Sequence, residues 1–435
     1  MIMQNTRNKR LLENKDEDLW LKRGVWIYFF LLIFEGALRK WLVPSLATPL
    51  LVVRDPVAIW LIYQVWRKGK LTNTFLLTAM VVITVISVIT TLLFGHGNLP
   101  VAVFGARILL VHFPLMFVIG RIFKKEDVLE MGKMILMIAI PMALLIAVQF
   151  YSPQASFVNR GIGDNTEGGG FSGAMGYFRP PGTFSFTTGV TLFFSLCAPF
   201  VIYFWFNTGM NKILLIMATA AVLASIPLSI SRTLFFSIGI TLVFTVIGVL
   251  RNGKYAGKVI MAGVLITLSL LILIQLPFFQ TAIEVFTSRF TNASDSEGGL
   301  QGTLGNRYIG LMTKALSSSF DQPFFGYGIG MGTNVGAMLI SGRTTFLISE
   351  EEWGRVLGEM GTIMGLGVIF IRLGLSFKLF AAGFKKLADG DLLPWLLLSF
   401  GLLVIPQGQW AQPTNLGFST LIGGLIIASF NTKKI

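Results

Sequence analysis

The chain is short of charge, of cysteine and of histidine. Only 13% of its 435 residues are Asp, Glu, Lys or Arg, about half the share of an average soluble domain. So little polar surface excludes an ordinary water-soluble enzyme. Cys197 is the single cysteine and sits in an apolar run, which excludes intrachain disulfides and any multi-cysteine zinc site. His96 and His112 are the only histidines, too few for a histidine-based metal centre. The first 23 residues are polar and basic, with no apolar core before a small-residue cleavage motif, so no cleaved signal peptide is expected. What is present in excess is apolar: 54% of residues, with 38 Phe and 9 Trp. The chain therefore reads as an all-α integral membrane protein. Its formal charge of +14, spread along such a sequence, is topology signal and gives no ground for a nucleic-acid partner.

Apolar runs of about 20 residues mark helices able to cross a bilayer. Twelve are expected, near 24–42, 47–66, 72–94, 101–120, 127–150, 186–206, 212–230, 232–250, 258–278, 356–377, 390–406 and 413–430. They divide the chain into a basic tail (1–23), spans one to nine (24–278), a large loop (279–355) and spans ten to twelve with a short tail (356–435). If the N-terminus is cytoplasmic, the basic clusters around Lys9, Lys68, Lys124, Lys212, Lys254, Lys385 and Lys433 all fall inside, and the short connections 95–100 and 407–412 hold no Lys or Arg. That alternation obeys the positive-inside rule and places both termini in the cytoplasm. Two connections are long, and both fall outside: the glycine-rich 151–185 and the 279–355 loop. Loops of this length in a compact protein are usually functional. No internal repeat is evident, which weakens a transporter built from inverted repeats.

Twelve basic residues fall on the outer side against the topology rule, and ten of them are Arg. Arginine's planar fork suits phosphate oxygens and keeps its charge, so a cluster of them at helix ends fits a pyrophosphate. Arg107 falls about two turns inside its span, where an ionised group costs on the order of 3 kcal/mol and marks either a functional site or a buried pair, for instance with Glu35. Glu35 and Arg39 are spaced to pair on one helix face. Pro56 is expected to kink the second span, leaving Arg54 and Asp55 at the break, in a local salt bridge or in contact with ligand. Two prolines after Arg179 stiffen the chain and Gly182 permits a tight turn. Arg232 opens the eighth span behind Ser229 and Ser231, where free N–H groups already favour an anion. Glu350, Glu351 and Glu352 precede the tenth span, with Arg355 and Glu359 on the same helical face as Glu352. Most of that triplet reads as helix capping, with one partly buried glutamate free to act as a base. Gly358, Gly361, Gly365 and Gly367 read as close helix packing, and His112 and Cys197 as packing residues. The Gly-Tyr-Gly at 326–328 lacks the surroundings of an ion filter.

Four stretches in this order carry a wider likeness: RPPGTF at 179–184, SRT at 231–233, GNRYIGLMTKAL with DQPFFGYGIG at 305–330, and EEWGRVLGEMG at 351–361. With the span layout they resemble the bacterial O-antigen ligase and Wzy-type polysaccharide polymerase superfamily, multi-spanning membrane glycosyltransferases of GT-C-like architecture. The family's ligases carry a His-Asn pair shortly before the exit glutamate. Counting nine residues back from Glu359 reaches Glu350, and the loop has no His, a departure that favours a polymerase over a ligase.

The resemblance implies a glycan donor linked through pyrophosphate to a polyprenol, a glycan acceptor, and reaction on the outer face of a bacterial cytoplasmic membrane without metal or cofactor, with a chain-length regulator as a further partner. It implies pyrophosphate binding by Arg179, Arg232 and Arg307, with Arg107 and Arg54 as further candidates. Glu350 is the expected acceptor-positioning residue or base, with Glu359 as its alternative. A ligase acting on lipid A-core or protein, and a flippase for lipid-linked glycans, are the competing readings.

Overall fold

The computed structural model describes residues 2–251 apart from 72 and 164, six scattered positions between 253 and 275, then 276–297, 310–317 and 322–431 apart from 344. The chain is mostly helical: α1 (Ile2–Ala37), α2 (Asp55–Arg67), α3 (Phe75–Phe94), α4 (Leu99–Arg107), α5 (Phe113–Ile122), α6 (Lys125–Tyr151), α7 (Thr188–Phe206), α8 (Lys212–Leu228), α9 (Arg232–Arg251), α10 (Pro277–Glu297), α11 (Leu311–Ser317), α12 (Asn334–Ser341), α13 (Glu352–Ala388), α14 (Leu392–Val404) and α15 (Pro413–Ser429). One antiparallel hairpin, β1 (Phe171–Ala174) with β2 (Tyr177–Arg179), stands between α6 and α7.

Local chemistry explains where several helices begin. Thr74 caps α3 by accepting from the Leu77 amide at 3.3 Å, and Asn211 caps α8 by accepting from Ile213 at 2.8 Å. Each satisfies an amide that the helix itself leaves unpaired. Among the described residues six helical stretches are long and apolar enough to cross a membrane: α3, α4 with α5, α6, α7, α9 and α13. The 20 residues of α3 extend about 30 Å, the thickness of a hydrocarbon core.

The lateral pattern is inverted relative to a soluble bundle. On α3 the exposed side chains are Val82, Val85, Ile86, Ile89 and Leu93, whereas Thr84, Ser87, Thr90 and Thr91 are buried. On α9 the exposed face carries Leu242, Val243, Val246 and Leu250, and the buried face Ser237, Thr241 and Thr245. An apolar exterior around hydroxyl-bearing interiors is stable only in an apolar solvent, so the chain is a membrane protein. Helices α7, α14 and α15 form the buried middle. Helix α15 comes close to α5 because Gly423 and Gly424 have no side chain: a Cβ on either would stand 2.8 Å from Met116 Sδ or 2.6 Å from Ile119 Cβ.

The expected boundaries need three corrections. Pro56 does not kink a helix running from 47. It lies in the first turn of α2, where its missing N–H costs nothing, and Pro49–Val52 forms a separate 3₁₀ turn. The expected tenth span is not one rod from 356. Helix α13 breaks at Gly361, whose φ of 73° and ψ of 174° are non-helical. Glu352 and Arg372, about 30 Å apart on a straight helix, form an ion pair at 2.6 Å. A Cβ on Gly365 would also stand 2.9 Å from Leu357 Cα. The chain therefore doubles back, with arm 352–360 lying along the start of arm 362–388. Finally, α4 and α5 are joined through a π turn, Ile108–His112, rather than continuing as a uniform helix. The expected ninth span, 258–278, lies mostly outside the described residues.

The reversal exposes main-chain groups, and the segment 322–333 satisfies them. The amides of Tyr327 and Gly328 donate to the carbonyls of Gly358 (2.8 Å) and Glu359 (3.0 Å). On its other side this segment meets the end of α3, through Ile329 N donating to Thr91 Oγ1 at 2.9 Å and His96 N donating to the Tyr327 carbonyl at 3.1 Å. The glycines of 326–330 are needed there: a Cβ on Gly328, itself at φ 115°, would stand 2.6 Å from the His96 ring.

Candidate functional site

A cavity of about 530 Å³ opens between α7, α9 and α14, in the size range of small-ligand sites. Its rim comes from the β hairpin, α10, the start of α13 and the connection from α14 to α15. Arg179, the last residue of β2, is on this rim. The sequence dictates its position. The hairpin turns through Met175 and Gly176 at φ 50° and 78°, and Phe171 pairs with Arg179 across the ladder. The chain then leaves through Pro180 and Pro181 to Gly182, whose φ is 58°. Gly182 is fixed on both sides: Gln149 Oε1 accepts from its amide at 2.8 Å, and Lys40 Nζ donates to its carbonyl at 2.6 Å.

Arg289 of α10 joins Arg179. Its Nη1 donates to the Gly173 carbonyl at 2.8 Å, and a Cβ on Gly173 would stand 3.6 Å from Arg179 Cγ. The two arginines thus meet at Gly173 of β1. Glu350, Glu351 and Glu352 with Trp353 line the same cavity. The Glu350 carbonyl accepts from Gln409 Nε2 at 3.0 Å, tying the glutamates to the connection that supplies Gln407, Gly408 and Gln409. Among these carboxylates Glu352 is committed elsewhere. It meets Arg355 Nη2 at 2.9 Å and Arg372 Nη1 at 2.6 Å, and accepts from the Trp410 amide at 3.0 Å. Arg372 in turn donates to the carbonyls of Ile405 (2.8 Å) and Gly408 (2.9 Å) and covers the Trp410 ring at 3.8 Å.

The described site residues expected from sequence fall into three groups. Arg179 and Glu350 share the cavity. Arg232 opens α9 beside it: its neighbour Thr233 is part of the wall, and Ser231 Oγ accepts from the Leu234 amide at 3.2 Å and meets Thr191 Oγ1 at 2.9 Å. Arg54, Arg107 and Glu359 are not part of the cavity lining and have protein partners. Arg54 Nε lies 3.4 Å from Glu35 and its Nη2 donates to the Pro413 carbonyl at 2.6 Å. Arg107 Nη1 contacts both Asp55 oxygens, at 3.0 and 2.8 Å. Glu359 accepts from Arg355 at 2.5 Å and from the Gly332 amide at 2.8 Å. Arg307 lies outside the described residues.

Several pairings differ from the sequence reading. Glu35 and Arg39 do pair, at 3.2 Å, but Arg54 and Asp55 do not salt-bridge each other: Arg54 turns to Glu35, and Asp55 turns to Arg107. His112 is more than a packing residue. Its Nε2 is 3.0 Å from Asp55 and its Nδ1 is 3.1 Å from the Tyr28 hydroxyl. Arg372 and the Gln407–Gln409 wall carried no sequence signal, because neither stands in a recognisable motif. Arg289 was visible only as one of ten misplaced arginines. Among the described residues no three His, Cys, Asp or Glu side chains are grouped as a metal site.

No protein-family model matches this chain, and no curated protein matches it. The arrangement itself offers two guanidinium groups, a carboxylate cluster and a hydroxyl-bearing wall around one ligand-sized space inside an apolar bundle. Such a site can hold an anion and position a hydroxyl nucleophile beside it.

Proposed function

We propose that the chain is a membrane glycosyltransferase of the O-antigen ligase and Wzy-type polymerase superfamily, and that it polymerises polyprenyl-pyrophosphate-linked oligosaccharide repeats on the outer face of a bacterial cytoplasmic membrane. The observation that carries this reading is the meeting of Arg179, Arg289 and Glu350 around one cavity within a lipid-facing bundle. In this reading both termini are cytoplasmic, and the shorter helices α2, α8, α14 and α15 complete a twelve-span layout together with α1 and the segment 258–278.

The reaction is a displacement at the donor's anomeric carbon. The acceptor hydroxyl oxygen forms the new glycosidic bond, the bond to the pyrophosphate oxygen breaks with its electron pair, and the hydroxyl proton passes to the Glu350 carboxylate. Charge accumulates on the leaving polyprenyl pyrophosphate, where Arg179, Arg289 and Arg232 at the start of α9 meet it. Preorganised cations in a site shielded from water contribute most where charge develops. The arginines make a metal unnecessary in this scheme.

The break in α13 favours a second reading, since interrupted helices also build the substrate sites of transporters. One experiment separates the two. Purified protein in lipid vesicles, given a polyprenyl-pyrophosphate oligosaccharide, should yield a ladder of repeats and released polyprenyl pyrophosphate. Donor appearing in the opposite leaflet with no new glycosidic bond would establish a flippase instead.

A further inference from the structure

The cavity has two chemically different ends. Every ionisable side chain in its lining belongs to the rim: Arg179, Arg289 and Glu350 to Glu352. The wall formed by α7 and α14 has none, because neither 188–206 nor 392–404 contains an Asp, Glu, Lys, Arg or His. What α7 presents instead is a row of hydroxyls. Thr188, Thr191 and Ser195 line the cavity, spaced to lie on one helical face over about 10 Å of axis. Helix α9 faces them with Thr233 and Ser237.

Two of these hydroxyls are unsatisfied. Thr188 Oγ1 and Ser195 Oγ are buried without a hydrogen-bond partner, and Ser195 is only 2% exposed. Its neighbours do not share this condition: Thr191 bonds Ser231, and Ser237 donates to the Thr233 carbonyl at 2.8 Å. Buried polar groups in native proteins are almost always paired, so an unpaired hydroxyl facing a cavity marks where a ligand group belongs. An uncharged, hydroxyl-lined wall flanked by the Phe236 and Phe400 rings matches a neutral sugar ring, whose hydroxyls need partners and whose apolar face packs on aromatics. An ionised uronate there would find no countercharge on α7 or α14 and would carry a desolvation penalty.

We infer that Thr188, Thr191 and Ser195 form a subsite for a neutral sugar of the lipid-linked donor, adjoining the arginine rim that takes the pyrophosphate, and that Ser195 sets the preference for neutral over acidic sugars. This rests on the glycosyltransferase reading above.

The test uses full-length protein in nanodiscs and two polyprenyl-pyrophosphate disaccharides that differ only in the first sugar, neutral or uronic. Both equilibrium binding and turnover are measured. The wild type should bind and extend the neutral donor at least about tenfold better. S195A should raise the KM for that donor about tenfold, the value of one lost hydrogen bond to a buried partner, with kcat nearly unchanged and an unaltered thermal transition. Equal binding of the two donors, or an S195A protein indistinguishable from wild type, overturns the subsite. So does tighter binding of sugar-free polyprenyl pyrophosphate by S195V, which would make this an isoprenoid pocket. If no bond forms with either donor but the binding preference persists and is lost in S195A, the subsite stands and the glycosyltransferase reading falls.

Discussion

Arg107 and Arg179 have similar sequence character but different surroundings, and substitution tests the role of each. Arg107 is bound by both oxygens of Asp55. Removing it leaves a mostly buried carboxylate with His112 as its remaining hydrogen-bond partner, a loss on the order of 3 kcal/mol. Arg107→Ala should therefore lower the unfolding temperature in detergent. Under the proposed function, Arg179→Ala should abolish polymer formation in the vesicle assay. Arg232 is expected to follow Arg179: Arg232→Ala should insert normally and make no polymer, and Arg232→Lys should rescue poorly, because a point charge does not replace a fork. Near-normal polymer from a stably expressed Arg232→Ala would remove this residue from the mechanism. The Glu35–Arg39 pair was legible in the sequence because four-residue spacing fixes proximity on a helix. The Arg107–Asp55 and Arg54–Glu35 pairs were not, since each joins separate helices and no local rule specifies which of several charges will meet.

The decisive element is the reversal in α13. Sequence shows Gly358, Gly361, Gly365 and Gly367 as a glycine-rich run that suits close packing. Nothing in that spacing shows that Gly361 alone departs from helical geometry, because the departure depends on segment 322–333 arriving to take up the freed carbonyls. A Cβ at Gly361 would be strained at φ 73° and would collide with the Phe324 carbonyl. Gly361→Ala should therefore cost about 2 kcal/mol or more, read as earlier thermal unfolding and faster proteolysis within 322–333. Arg372 tests the lower part of the same device. Arg372→Lys keeps the charge beside Glu352 but cannot reproduce the separate contacts to the Ile405 and Gly408 carbonyls. It should raise the acceptor KM several-fold with a smaller effect on the donor, because the Gln407–Gln409 wall loosens while the arginine rim is untouched. A matching loss for both substrates would mean that Arg372 merely supports the bundle.

For the whole molecule, the low charge and long apolar runs made the membrane-protein class readable from composition, and most helix positions followed. Hydropathy cannot count spans as well. It registers apolar length, whereas buried helices such as α14, with 13 residues, are shortened by what packs above and below them. A labelling experiment checks the lateral arrangement, and the sequence makes it simple. Cys197 is fully buried, so single cysteines can be introduced without removing it. Cysteine at Leu242, on the exposed apolar face of α9, should react with a lipid-soluble maleimide and resist a charged one. Cysteine at Glu350 should react with the charged reagent, and in intact cells only from outside. Reversed accessibility at Leu242 would refute the lipid-facing arrangement, and labelling of Glu350 only after the membrane is opened would refute the orientation.

The cavity wall at 407–409 carries a consequence for how the protein is made. The hairpin with Arg179 leaves the ribosome more than two hundred residues before Gln409, and Arg372, which holds that wall, comes between them. Until α14 and the 407–409 connection are inserted, the nascent chain has these arginines but lacks that part of the cavity wall. The cavity is thus complete only once the chain has been made past Gln409, and under the proposed function a chain interrupted before α14 has the arginines without the wall that the reaction would need.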